Sequence, residues 1–144
     1  MKTTAKEMPE CAAIGRWLQN ELDVVETYKL GVARLDDASE RASACAVMAE
    51  HVAHAAELRD LLHALGRTEL GPEAAPHPCT QERLAMVRLA NDRVLEALRA
   101  GEAKRLAAYE KALALPSIAP LVAKLVERVI DRERGHVERL ASVR

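Results

Sequence analysis

The sequence predicts an all-α protein of four helices, and three observations carry that expectation. Phe is absent and only one Trp and two Tyr occur in 144 residues, while Ala, Leu, Glu and Arg dominate, a composition of packed amphipathic helices rather than sheets. Apolar residues recur at intervals of three and four along four long segments. Proline, glycine and capping residues separate those segments. The length fits a single domain, 1–144.

The first helix is expected over 10–36, after Pro9 and up to the Asp36-Asp37 stop. Its inward stripe reads Ile14, Trp17, Glu21, Val24/Val25, Tyr28, Val32 and Leu35. "DASE" at 37–40 resembles a capping box and opens a second helix over 38–65, which Gly66 closes. Its stripe is Val47, His51, His54, Leu58, Leu61/Leu62 and Leu65.

Residues 66–79, "GRTELGPEAAPHPC", form a loop that is long for a simple helix connection, and Thr80 can cap the next helix. The third helix is expected over 81–114, with the stripe Leu84, Val87, Asn91, Val94/Leu95, Leu98, Glu102, Leu106, Tyr109 and Leu113; Gly101 weakens its middle. It ends before Pro116. With Ser117 or Ala119 as cap and Pro120 in the first turn, the fourth helix, 118–142, shows Val122, Leu125/Val126, Val129, Glu133, His136, Leu140 and Val143.

Six polar residues interrupt these apolar stripes near helix middles: Glu21, His51, His54, Glu102, Glu133 and His136. Antiparallel packing brings them to one layer. Glu21 to Tyr28 and Glu102 to Tyr109 are both spans of seven, and Glu21 to His54 is 33 where Glu102 to His136 is 34, so a two-helix unit is repeated. Burying an ionised carboxylate without a partner costs several kcal/mol, and a divalent cation satisfies three Glu and three His together. Helix bundles build dimetal sites from one Glu on each of two helices and a Glu-x-x-His on each of the other two, and "ERGH" at 133–136 fits that motif.

On "ELDVVETY" (21–28), "EAKRLAAY" (102–109), "HVAH" (51–54) and "ERGH", the chain resembles the ferritin-like superfamily, and within it rubrerythrin-type and related small bacterial domains, over residues 10–144. The resemblance implies that Glu21 and Glu102 are terminal carboxylate ligands, His54 and His136 imidazole ligands and Glu133 a bridging carboxylate, with the hydroxyls of Tyr28 and Tyr109 beside the site. It implies binding of ferrous iron and reaction with dioxygen or peroxide, as ferroxidase or in defence against oxidative stress.

His51 stands where the family has a second bridging Glu, and a neutral imidazole offers one lone pair to one metal. Three arrangements remain open: His51 binds one metal terminally, Glu50 turns in beside it, or the site holds a single ion. Such a donor set suits Fe, Mn or Zn. No rubredoxin-type cysteine set accompanies the helices, so a peroxidase cycle needs an external electron donor. The other reading is a metal-free helical interaction or stress-response module, in which Glu21–His54 and Glu102–His136 pairs satisfy one another.

The superfamily's order is up-down-down-up, with a connection that climbs the bundle. From the layer to the end of the second helix is about 17 Å, and back to a start near Thr80 about 32 Å, against a reach of about 46–50 Å for fourteen extended residues. The crossover is nearly taut unless the third helix starts later or bends near its start; up-down-up-down leaves the loop slack. The motifs favour the crossover.

The formal net charge is −1 and opposite charges alternate along the helices, which gives no footprint for nucleic acid or anionic lipid. No apolar run reaches signal-peptide or membrane-span length, so a cytoplasmic protein is expected. Cys11, Cys45 and Cys79 form no C-x-x-C, and Cys45 is expected to pack as a small hydrophobe. Ala-rich outer faces would permit a homodimer.

Overall fold

The computed structural model describes residues 9–66, 78–114 and 120–143, without the side chains of 9, 10 and 78–81. Among the described residues every regular element is helical. The helices are α1 (Pro9–Val32), α2 (Ala38–Ala64), α3 (Pro78–Arg88), α4 (Val94–Leu113) and α5 (Pro120–Ala141), with a 3-10 turn at Asn91–Arg93. No helix among them is long and apolar enough to cross a membrane. The expected loop residues 67–77 and the caps Ser117 and Ala119 lie outside the described residues, as do the side chains of Cys79 and Thr80.

The first two helices match their local signals closely. α1 ends at Val32 rather than 36, because the Arg34 and Leu35 amides donate to the Gly31 and Val32 carbonyls in tighter turns. Asp37 caps α2, its Oδ1 accepting from the Glu40 amide at 2.8 Å, as the capping-box reading requires. Gly66, at φ 88°, takes the left-handed conformation that closes α2.

The single third helix expected over 81–114 is a correction: the chain breaks it into α3 and α4. Ala90 turns extended, at φ −68° and ψ 150°, although neither Pro nor Gly lies nearby. The cause is tertiary. The Arg34 guanidinium, from the end of α1, donates to the Met86 and Leu89 carbonyls and, at 3.0 Å, to Asn91 Oδ1, so it satisfies the carbonyls that a continuing helix would have used. The break resets the helical phase. Met86 is buried, whereas the expected stripe residues Leu84 and Val87 are 60% and 62% exposed.

Contacts fix the running directions. Cys11, Ile14 and Leu18 pack with Leu58 and Leu62, and Leu35 with Ala44 and Val47, so α2 descends along α1. Val94 and Leu98 lie against Gly31, Tyr28 bonds Glu102 and Tyr109 bonds Glu21, so α4 is also antiparallel to α1. Arg99 donates to the Leu140 and Val143 carbonyls while Tyr109 packs with Val122 and Val126, so α5 runs back along α4. Glu57 on α2 takes both terminal nitrogens of Arg132 on α5, each at 3.0 Å.

α2 and α4 therefore run in the same direction, and the climb between them is made in part by α3, which ascends beside α1 with Arg83 3.7 Å from Asp23. That helical climb removes the length conflict seen in the sequence. Apolar clusters lie at both ends: Val24, Leu35, Val47, Leu98 and Leu140 at one, and the Leu18–Leu58 and Val126–Ile130 groups at the other, joined through Trp17. The polar layer sits between them. Each fully buried aliphatic side chain contributes about 1.5–3 kcal/mol to holding the layer out of water.

Candidate metal centre

All six inward polar residues are buried in that layer. Glu21 and Glu102 have no exposed surface, and His51, His54, Glu133 and His136 are also buried. They divide into two unlike halves. His51, Glu102, Glu133 and His136 each offer one ligand atom, and these four atoms lie within 4.8 Å of one another. Such a group could hold a metal ion. Glu21 and His54 stand one step away, on the other side of the His51 ring.

In the Glu21 half, both carboxylate oxygens engage protein groups. Glu21 Oε2 lies 2.6 Å from His51 Nδ1, and Oε1 lies 3.2 Å from His54 Nδ1 and accepts from the Tyr109 hydroxyl at 3.4 Å. In the other half, Glu102 Oε1 takes the Tyr28 hydroxyl, His51 Nε2 at 2.8 Å and Arg105 Nη2 at 3.1 Å. Glu102 Oε2, Glu133 Oε2 and His136 Nδ1 have no hydrogen-bond partner. His136 Nδ1 lies 3.5 Å from Glu102 Oε2 and 3.6 Å from Glu133 Oε2. A buried polar atom without a partner costs about 1–3 kcal/mol, and here three of them converge.

Comparison with known proteins returns no matching family model, no matching curated protein and no matching solved structure.

The electrostatics arise from burial and from these pairs. Burial alone would pull His51 down, but Glu21 and Glu102 on its two nitrogens outweigh it and raise its pKa to about 10. Burial likewise opposes charge on His136, yet Glu102 and Glu133 lift it to about 9. Burial pushes Glu21 up, and His51 and His54 overcome it, leaving a pKa of about 2. Glu102 is held well below the usual carboxylate range against its burial by the neighbouring His136 and His51 imidazoles. Glu133 is the exception: burial dominates and raises it to about 7. Burial beside carboxylates keeps Tyr28 and Tyr109 protonated, so both act as donors.

Sequence reasoning missed Arg105. Its side chain, 13% exposed, reaches Glu102 and Glu82, at 3.4 Å from the latter. Despite burial, Glu102 keeps the guanidinium charged. The signal was Gly101: a Cβ there would come within 3.3 Å of the Arg105 guanidinium, so the glycine in mid-helix makes room for it. Glu50, expected as a stand-in for His51, does not turn into the layer. It is 51% exposed and contacts His136 Nε2 from the outer side. A cavity of about 250 Å³ between α1, α3 and α4 has Tyr28 and Arg105 in its wall, both of which touch Glu102.

Proposed function

We propose that the chain is a ferritin-like metal-binding protein, with α1/α2 and α4/α5 as two helical hairpins joined by a crossover that includes α3, and that its buried layer binds transition-metal ions. The single observation that carries this reading is the convergence of Glu102 Oε2, Glu133 Oε2 and His136 Nδ1, buried and without hydrogen-bond partners. These atoms form a mixed carboxylate and imidazole set, which suits iron and also Mn or Zn.

Glu102, Glu133 and His136 would hold the ion, and an iron ion there would supply one-electron exchange with dioxygen or peroxide. The chain's own residues prepare the place. The Tyr28 hydroxyl and the Arg105 guanidinium fix one oxygen of Glu102 and aim the other into the gap. Apolar clusters on both sides exclude bulk water, and the cavity beside Tyr28 and Arg105 gives a small neutral molecule an approach to within one side chain of Glu102. Any reaction with dioxygen or peroxide belongs to this proposal.

A second reading is favoured by the chain His54–Glu21–His51–Glu102, which pairs charges without any ion. It makes the fold a metal-free interaction module. Thermal unfolding under nitrogen separates the two. Ferrous or manganous ion at a hundred times its dissociation constant contributes about 2.7 kcal/mol. For a chain of this size that raises Tm by about 7–10 °C. An unchanged Tm across millimolar metal favours the module.

A further inference from the structure

The two halves of the layer share one pattern and depart from it at two charged positions. Glu21, Val24 and Tyr28 on α1 correspond to Glu102, Arg105 and Tyr109 on α4, 81 residues later; His51 and His54 on α2 correspond to Glu133 and His136 on α5, 82 later. His51 therefore stands where the pattern has a carboxylate, and Arg105 where it has an aliphatic residue.

We propose that these two departures make the layer a site for one divalent cation, held by Glu102, Glu133 and His136, with the His51 ring and the Arg105 guanidinium replacing a second ion. The proposal rests on the reading of the layer as a metal site.

Charge gives the first argument. A symmetric set of four carboxylates balances two divalent ions with neutral imidazoles as ligands. Here Glu21, Glu102 and Glu133 with Arg105 leave at most two negative charges, no more than one divalent ion balances. A second ion would leave at least two uncompensated positive charges in a layer with almost no solvent exposure.

Geometry gives the second. The His51 ring spans from Glu21 Oε2 to Glu102 Oε1, at 2.6 and 2.8 Å, and so links the two carboxylates that would otherwise each bind one of two ions. The fully buried carboxylate and imidazole atoms without a hydrogen bond belong to Glu102, Glu133 or His136, whereas both Glu21 oxygens and both His51 nitrogens are engaged. One half is closed and the other open. Gly101 gives the third argument: glycine in mid-helix costs about 1 kcal/mol relative to alanine, and a Cβ there would press on the Arg105 guanidinium at 3.3 Å, so the glycine leaves that group room beside Glu102.

The test is anaerobic titration of the whole chain with Co(II), removal of unbound ion by gel filtration, and counting of retained cobalt by mass spectrometry. The parent retains about one Co(II) per chain, and the double variant His51→Glu/Arg105→Val, which restores the symmetric set, retains about two. Two equivalents in the parent overturn the single-ion proposal and leave the metal reading standing; none overturns both. One equivalent in a double variant with parental helical circular dichroism also overturns the proposal. Where that variant does not fold, electron paramagnetic resonance of the parent saturated with Mn(II) decides: an isolated-ion sextet is expected, and an exchange-coupled pair contradicts it.

Discussion

Glu102→Gln is expected to lower metal affinity by about a hundredfold or more and to destabilise the metal-free protein by about 3–5 kcal/mol. No other residue in the layer has both roles. Glu102 Oε1 gathers the Tyr28 hydroxyl, His51 and Arg105, while Oε2 is open toward Glu133 and His136. An amide carries no charge for the Arg105 guanidinium or the His51 ring, and its NH2 would have to face a donor or the open gap. Urea unfolding and competition with a chromophoric chelator measure the two effects separately. Glu21→Gln serves as the contrast. Both Glu21 oxygens already engage protein groups, so its loss should weaken the fold while lowering metal affinity less than about tenfold.

Raising the pH from about 6.5 to 10 should steadily destabilise the metal-free protein, by several kcal/mol in all. The sign is set by His51 and His136, whose folded pKa values of about 10 and 9 lie above the ordinary 6.5. Their protonated forms bind the fold more strongly, so their contribution is full below 6.5 and is lost as pH climbs through 9 and 10. Glu133, raised to about 7 from 4.5, adds a loss that starts lower. Glu21 acts oppositely: held at about 2, its contribution is present above 4.5 and vanishes as pH falls through 2. Metal-free stability therefore peaks near about pH 4.5–5. Bound metal needs neutral imidazoles and so competes with these protons, which makes the metal-dependent rise in Tm grow between about pH 6.5 and 9. Melting curves with and without Mn(II) across that range check the slope and its reversal.

The six-residue layer was legible because helical periodicity is a strong signal and a carboxylate inside an apolar stripe is conspicuous. Glu21, Glu102 and Glu133 needed only the positions of Trp17, Leu98 and Val129 to be read as inward. The Asp37 cap and the Gly66 stop were equally local. What escaped was set by contacts across the fold. The break after Arg88 comes from Arg34, more than fifty residues away in sequence, and nothing at Leu89 or Ala90 announces it. With the phase reset, Leu84 and Val87 moved outward from the expected stripe.

Arg105 escaped for another reason: a long cationic side chain on a helix is ordinarily solvated. Only its spacing of three from Glu102 and the gap left by Gly101 mark it as inward. The imidazole at position 51 was visible as a departure in the sequence. That it links Glu21 to Glu102 was not, because the three residues lie on three different helices.

Anomalous diffraction from a crystal of the protein loaded anaerobically with Mn(II) or Fe(II), recorded at the metal's absorption edge, tests the metal centre most directly. The expected result is one anomalous peak in the buried layer, bounded by Glu102, Glu133 and His136, with none beside Glu21 and His54. A layer without anomalous density, in protein that keeps its helical fold, would contradict it.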